Sequence, residues 1–285
     1  MSPQAYFRKA RQDFHGKLCR EVLLIDSGSV ATNADSANPA SKEIALILAR
    51  KLGASSGSRL AGQTSGGRFE HACLEFVEAT FQKLQHIRPG RWTVAQASGK
   101  DLQIADFEQY SHLREIERIT REHPQLRTVL GADYFIKPDV IVFRAPEDDR
   151  VLNQERLLVD GSCTKLAPLR KKNGGLPILH ASVSCKWTIR SDRSQNSRSE
   201  ALNMVRNRKG HTPHIVVVTA EPLPSRLASV ALGTGDIDCV YHFALTELVE
   251  TIEELNYPDA REMLMMLIDG KRLRDISDLP LDLAE

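Results

Sequence analysis

The feature that most constrains the fold is the segment 178–220, which runs ILHASVSCKWTIRSDRSQNSRSEALNMVRNRKG and ends on the apolar run HIVVVTA. Its first ten residues alternate between polar and apolar side chains, which predicts a strand with one core face and one face available for chemistry. The polar face carries His180, Ser182, Ser184 and Lys186. The continuous apolar run at 214–220 predicts a second, buried strand.

A helix is predicted between these two strands. Ser191 or Asp192 is placed to cap its first turn, and apolar side chains return only from Ala201 onward, so the first turns are expected to face away from the core. Strand, helix and strand in this order build a parallel sheet with a right-handed crossover. Lys186 is expected to leave the sheet where the helix begins.

The remaining pattern predicts one α/β domain over residues 1–285, because 285 residues with 41% hydrophobic content can bury a large core. Periodicity predicts further helices over 1–25, 41–52, 67–84, 101–122, 222–232 and 245–268, and further strands over 92–97, 140–143, 151–159 and 237–243. The helical region 245–268 ends in a strongly apolar stretch that needs a partner surface. The tail GKRLRDISDLPLDLAE fits an arm laid over the body of the protein or over another subunit, or ordinary packing on its own core.

Charge and cysteine usage exclude several function classes. The net charge is only +1, so attraction to nucleic acid must come from local clustering. Between Lys186 and Lys209 the chain has seven basic and two acidic residues, which fits a DNA-facing helix or a solvated helix face.

The five cysteines are scattered without a C-x-x-C pair, which argues for reduced core thiols and against disulfides and zinc.

The chain shows no signal for a membrane. No apolar run approaches the length of a membrane span, and the N-terminal sequence lacks an apolar signal core. We therefore expect a cytoplasmic protein with no membrane partner.

Three chemically competent residues are predicted to converge at one end of the sheet. Asp139 enters the strand VIVF, Lys186 leaves the strand before the helix, and Glu200 lies about two turns into that helix. An ionised Asp beside a core strand needs a partner, either a lysine or a metal ion. Two carboxylates suit Mg²⁺, which accepts few protein ligands, and a lysine beside them can orient water and offset phosphate charge. This combination indicates phosphodiester hydrolysis.

Glu70 is a candidate for the same site. It lies early in the predicted helix 67–84, at the edge of its apolar stripe, so its carboxylate is expected to be partly desolvated. Such an acid could add an oxygen donor or hold a water. The alternative is an acid that serves only the helix dipole.

The pattern of Pro138-Asp139, then Ser184-Cys185-Lys186, then Glu200 resembles the PD-(D/E)xK nucleases in a permuted form. In that form the acid two residues before the lysine is replaced, here by Ser184, and the carboxylate comes from the following helix. The resemblance implies a central mixed β-sheet flanked by helices. It also implies an active site of Asp139, Lys186 and Glu200, with Asp139 and Glu200 as metal ligands and Glu70 and Ser184 adjacent.

Longer segments are similar to the type II restriction endonucleases that recognise CCGG. The similarity extends over nearly the whole chain, and the segments that carry it are LAGQTSGGRFE, KLQHIRPG, HASVSCKWTIRSDRSQNSRSE, VRNRKG, PHIVVVTAEP, ALGTGDIDCVYHFAL and GKRLRDISDLPLDLA. The resemblance implies an Mg²⁺-dependent enzyme that cuts double-stranded DNA at GCCGGC after the first G and leaves CCGG overhangs. It further implies a homotetramer of two back-to-back dimers and a cognate DNA methyltransferase as functional partner. From their apolar pattern, the C-terminal helices and tail are expected to serve in oligomer contacts.

Base recognition can be argued from side-chain chemistry. Arginine forms a bidentate fork to guanine and aspartate accepts from cytosine, so Arg190, Asp192 and Arg193 at a helix start suit G·C pairs. The resemblance implies that these three read the inner CCGG. It implies that Asp35 and Arg226 read the outer G·C pair and that Gln63 contacts the minor groove. Without it, Asp35 would be a turn residue, Asp192 an N-cap and Arg226 a surface charge.

Three functions are therefore compared. The first is a site-specific DNA endonuclease. The second is a repair or junction nuclease of the same fold, which reads DNA shape and needs no Arg-Asp-Arg reader. The third is a non-catalytic DNA-binding protein, in which Asp139 and Lys186 would be replaceable.

Overall fold

The computed structural model describes residues 4–57, 62–97, 102–123, 125, 137–189, 191–233 and 235–285, and for 191–196 it describes the backbone only. Within these residues six strands form one sheet in the order β1-β2-β3-β4-β5-β6. The strands are Trp92–Gln96, Val140–Arg144, Ile178–Lys186, His214–Thr219, Cys239–His242 and Leu273–Asp275. β1, β2 and β3 pair antiparallel, whereas β3 to β6 pair parallel. The predicted central mixed sheet is confirmed.

Helices cover the sheet. In the described part of the chain α1 to α10 span Tyr6–Glu21, Pro39–Lys51, Gly62–Phe81, Leu113–Glu122, Asp149–Leu152, Ser191–Asn207, Pro224–Ala231, Leu245–Glu254, Pro258–Asp269 and Leu279–Asp282. Short 3₁₀ turns lie at Gln82–Leu84, Ile104–Asp106, Glu108–Tyr110 and Lys171–Asn173. Helix α3 packs against β1, β2 and β3, and α6 connects β3 to β4 as the predicted crossover. Sheet and helices therefore share one core.

The predicted strand over 151–159 is wrong. The short helix α5 occupies its start, and the rest is a loop built around Asn153. The Asn153 amide oxygen accepts from the N–H groups of Leu158 and Val159 at 2.8 and 2.9 Å, and its amide nitrogen donates to the Val159 carbonyl. A side chain thus takes the place of a neighbouring strand in satisfying this backbone.

Two predicted helices are shorter than expected. The helix predicted over 101–122 begins only at Leu113, because two 3₁₀ turns precede it and the first is closed by reciprocal bonds between Gln103 and Asp106. The helix predicted over 245–268 divides into α8 and α9 at Pro258, whose ring cannot continue the α8 hydrogen-bond ladder.

The polar face of β3 is not all available for chemistry. His180 and Ser182 are each only 5% exposed, so the expectation of an open face fails for the first half of the strand. The His180 imidazole lies under the C-terminal segment, where its Nε2 hydrogen-bonds to the Leu283 carbonyl at 2.6 Å. Only the end of the strand, with Ser184 and Lys186, keeps the polar face partly open.

The C-terminal tail packs on the protein's own core, which was one of the placements left open. It adds the edge strand β6 to β5 and buries Ile276, Leu279 and Leu283. The use of the C-terminal helices and tail in oligomer contacts stays a prediction.

The five cysteines are free thiols. Four are buried as expected, but Cys163 is exposed because it lies in the surface loop before the Lys171–Asn173 turn. Among the described residues no helix is long and apolar enough to cross a membrane.

Candidate active site

The antiparallel register of β2 and β3 brings Asp139 beside Lys186. Val140 pairs with Val183, so the residue before β2 lies next to the last residues of β3. One carboxylate oxygen of Asp139, Oδ2, accepts from the Cys185 N–H at 2.7 Å and from the Lys186 Nζ at 3.3 Å. The two side chains are only 19% and 20% exposed. The strand register therefore fixes a half-buried carboxylate and ammonium pair at the sheet end.

Glu200 faces this pair from α6. Burial raises the pKa of Glu200, the positive charge of Lys186 opposes this effect, and the negative charge of Asp139 adds to it. Burial by itself lowers the pKa of Lys186, but Asp139 and Glu200 outweigh it and leave that pKa raised. The three charges thus lie close enough to act on one another.

Glu70 approaches the same charges from α3. Burial raises the pKa of Glu70, Asp139 raises it further, and Lys186 lowers it. Its helix packs across β3, which explains how a residue more than a hundred positions away reaches this end of the sheet. Glu70 is therefore more than a first-turn acid, because α3 begins at Gly62 and Glu70 lies in its third turn.

Ser184 adds an unsatisfied polar atom. Its Oγ is buried and has no hydrogen-bond partner among the described residues. The side chain lines a small pocket between β3 and α6 together with Pro138, Ser197 and Glu200. A buried hydroxyl without a partner is uncommon and indicates room for a water or another polar group.

The donor set fits one Mg²⁺. No cluster of three or more His, Cys, Asp or Glu side chains suited to a metal is found within the described ranges. Mg²⁺ commonly needs only one or two carboxylates, because waters and substrate phosphates complete its shell. Asp139 and Glu200 are the two carboxylates that could hold such an ion. A cation between them would lower the pKa of Glu200, which burial raises.

Two of the predicted readers are brought together. Arg226, on α7, bonds through Nη2 to the Asp35 carboxylate. Asp35 also forms the predicted turn, in which its Oδ1 accepts from the Ala37 N–H at 3.0 Å. Both side chains stay partly exposed, at 26% for Arg226 and 29% for Asp35, so neither role excludes contact with DNA.

The other predicted readers are only partly placed. Arg190 and the side chains of Asp192 and Arg193 lie outside the described residues. The backbone confirms that a helix begins at Ser191. Gln63 is exposed at the start of α3.

Sequence reasoning missed Glu221, which lies two residues after β4. The residue is fully buried, and burial raises its pKa to about 7. One oxygen, Oε2, accepts from the Ile189 N–H at 2.8 Å and lies 3.8 Å from Arg226 Nη1. The available signal was an acid between a buried parallel strand and a proline, in the segment VVVTAEP.

Comparisons with known proteins agree over almost the whole chain. The model of the NgoMIV restriction enzyme family matches residues 14–285. The type II restriction enzyme NgoMIV of Neisseria gonorrhoeae is 53% identical over 281 residues, which are 98% of each protein. The chain belongs to the NgoMIV restriction enzyme family.

Membership in the NgoMIV family makes the chain a type II restriction endonuclease that acts on double-stranded DNA, with the restriction-endonuclease-like fold that the resemblance implied. It favours the first of the three functions. Enzymes of this type generally use a divalent metal ion. A solved complex of restriction endonuclease PspGI with substrate DNA is 12% identical and covers 99% of this chain and 92% of its own, with a TM-score of 0.32.

Proposed function

We propose that this enzyme hydrolyses double-stranded DNA at GCCGGC with Mg²⁺, cutting after the first G on each strand to leave 5′ CCGG overhangs. The observation that carries the proposal is the contact of Asp139 with Lys186 at 3.3 Å, with Glu200 and Glu70 facing the same charges. This cluster lies where β3 ends and the chain turns toward α6. Catalytic groups and base readers would thus share one edge of the sheet.

In the proposed site Asp139 and Glu200 hold the metal ion. A bound Mg²⁺ supplies a Lewis acid for the phosphate and a more acidic water. Lys186 places a positive charge where negative charge develops on the phosphate, and its raised pKa keeps it protonated at neutral pH. Glu70, which the charges of Asp139 and Lys186 reach, can hold a water beside this site. The unpaired Ser184 hydroxyl can donate to a water in the pocket that it shares with Glu200.

Base recognition in the proposal uses side chains from four segments. Arg190, Asp192 and Arg193 at the start of α6 read the inner CCGG, because arginine pairs with guanine and aspartate with cytosine N4. The contacting pair Asp35 and Arg226 offers the same two chemistries for the outer G·C pair. Gln63 lies exposed and is proposed to contact the minor groove.

The test is digestion of a plasmid that carries one GCCGGC site, followed by sequencing of both ends. With Mg²⁺ the proposal expects one linear product with 5′ CCGG ends, and with EDTA it expects bound but intact plasmid. A plasmid in which the site is changed to ACCGGT is the matched control. Cleavage of both plasmids at equal rates would contradict the proposed site.

The proposed assembly is a homotetramer, a dimer of dimers. Support comes from the segment between β2 and β3, which exposes large apolar side chains that a lone subunit would leave in water. These side chains are Val151, Leu157, Leu158 and Leu166, with Leu166 92% exposed. Sedimentation of the free enzyme tests the assembly, and a monomer at micromolar concentration would contradict it.

The proposed functional partner is a cognate DNA methyltransferase that protects host sites. Methylated GCCGGC duplexes are therefore expected to resist cutting, because a methyl group at the base edge interferes with the proposed arginine and aspartate contacts. Equal cleavage of methylated and unmethylated duplexes would contradict this partner.

A further inference from the structure

Glu221 lies at the point where three parts of the proposed DNA-binding site meet. It follows β4, its Oε2 accepts from Ile189 at the end of the β3 segment, and Arg226 of α7 faces the same oxygen. Its other oxygen, Oε1, accepts from the Leu223 N–H at 3.2 Å, and its own N–H donates to Thr219 Oγ1 at 3.1 Å. Every polar atom of the carboxylate is thus engaged in a buried setting.

The neighbouring backbone ties the same parts together. The N–H of Ala220, one residue earlier, donates to the Lys186 carbonyl, and the Ala220 carbonyl accepts from the buried Asn33 amide at 2.9 Å. Asn33 belongs to the loop that carries Asp35. The backbone just after β4 is therefore hydrogen-bonded both to β3, which carries Lys186, and to the loop that carries Asp35.

Arg226 lies between two carboxylates. Its Nη2 bonds to Asp35 and its Nη1 lies 3.8 Å from Glu221. When Asp35 turns to a cytosine amino group, as the proposed function requires, Glu221 remains as the acidic partner that keeps the guanidinium oriented. An arginine held in one direction before binding loses less conformational entropy when it meets a guanine.

Resting on the proposed function, we propose that Glu221 is a positioning residue for the outer base pair. Its carboxylate fixes the Arg226 guanidinium relative to the Ile189 backbone, from which the chain continues into the inner-pair readers. It touches no substrate atom and acts through Arg226.

The test measures kcat/KM with Mg²⁺ on duplexes containing GCCGGC, ACCGGT and GCATGC. Glu221→Gln is expected to lower the preference for GCCGGC over ACCGGT about tenfold, through a higher KM, and to leave the preference over GCATGC within about twofold. The matched control is Glu147→Gln, which neutralises another buried glutamate, one that faces Arg91 at 3.4 Å and Arg144 at 3.5 Å beyond the far end of β2. That variant is expected to keep both preferences.

A double variant separates positioning from general stability. In an Arg226→Ala background, adding Glu221→Gln is expected to change the outer-pair preference no further, because the guanidinium it acts on is gone. Equal effects with and without Arg226, or a lower melting temperature with an unchanged outer-pair preference, would overturn the inference. If Glu221→Gln does not fold, Glu221→Asp, which withdraws the carboxylate by one carbon, is expected to lower the preference at least about threefold, and an unchanged value overturns the inference.

The two proposals fail in different ways. If the wild-type enzyme shows no preference for GCCGGC over ACCGGT, or if Arg226→Ala leaves that preference intact, the proposed function is wrong. If Arg226→Ala relaxes the outer pair and Glu221→Gln does not, only the positioning role of Glu221 is wrong.

Discussion

Lys186→Ala is expected to stop cutting and to leave binding. The lysine Nζ lies 3.3 Å from Asp139 Oδ2, with both side chains about one-fifth exposed. At an effective dielectric constant of about 20 this separation corresponds to about 5 kcal/mol of Coulomb energy, before the cost of desolvating both groups. The variant loses this positive charge from the position proposed for the reacting phosphate, while the proposed base readers keep their side chains.

The expected size follows from comparable sites. Removing one preorganised donor at a developing oxyanion typically lowers kcat about 10²- to 10³-fold, and Lys186 is also the cation that offsets Glu70 and Glu200. Without it the pKa of both acids rises further, so they ionise less readily at neutral pH. We therefore expect a single-turnover rate at least about 10³-fold lower, with DNA affinity in EDTA within about threefold of wild type.

The assay pairs a single-turnover digest with anisotropy binding on one GCCGGC duplex. Lys51→Ala is the control, because Lys51 is also a partly buried lysine with an acidic partner. Its Nζ lies 3.0 Å from Glu254 of α8 and not beside a residue of the candidate site. It is expected to cut and bind like wild type. A Lys186→Ala enzyme that cuts at the wild-type rate, or one that loses DNA binding as well, would refute the assigned role.

Three further outcomes are expected. Burial raises the pKa of Glu221 from its ordinary 4.5 to about 7, so the unfolded state loses this proton at a lower pH than the folded state does. Between those pH values the free energy of unfolding of wild type should therefore fall by about 3 kcal/mol relative to that of Glu221→Gln. Parallel profiles of the urea-derived free energy of unfolding against pH would contradict this. Arg193→Ala should lower the binding free energy that separates the inner CCGG from other sequences by about 1 to 3 kcal/mol in competition binding, and should leave metal affinity unchanged. A footprint of unchanged strength and sequence preference would argue against the role of Arg193. Leu157→Asp with Leu166→Asp should reduce tetramer in sedimentation runs without changing the circular dichroism spectrum; an unaltered tetramer removes this surface from consideration.

Most of the sheet could be predicted because its strands carry local signals. Alternation in β3 and the continuous apolar runs of β2 and β4 identify strands without knowledge of their partners. The segment 151–159 misled the same reasoning, because its valine and leucines resemble a strand while Asn153 satisfies the backbone locally. Burial of His180 was equally invisible, since it depends on a tail more than ninety residues away.

The part of the candidate site that strand order and direction determine could be predicted from the sequence. Placing Asp139 before one strand and Lys186 at the end of another is enough to bring them together once the strands pair antiparallel. The approach of Glu70 was only a hypothesis from the edge of an apolar stripe, because helix packing decides it. Glu221 was missed because its importance comes from partners at Ile189 and Arg226 that no local pattern joins.

The most direct measurement is the Mg²⁺ dependence of GCCGGC cleavage by Glu200→Gln, compared with wild type and with Glu75→Gln, an exposed acid that pairs with Lys17. If Asp139 and Glu200 share one cation, the midpoint for Glu200→Gln lies at least about tenfold higher in Mg²⁺, and that for Glu75→Gln is unchanged. A midpoint for Glu200→Gln equal to that of wild type would contradict the shared metal site.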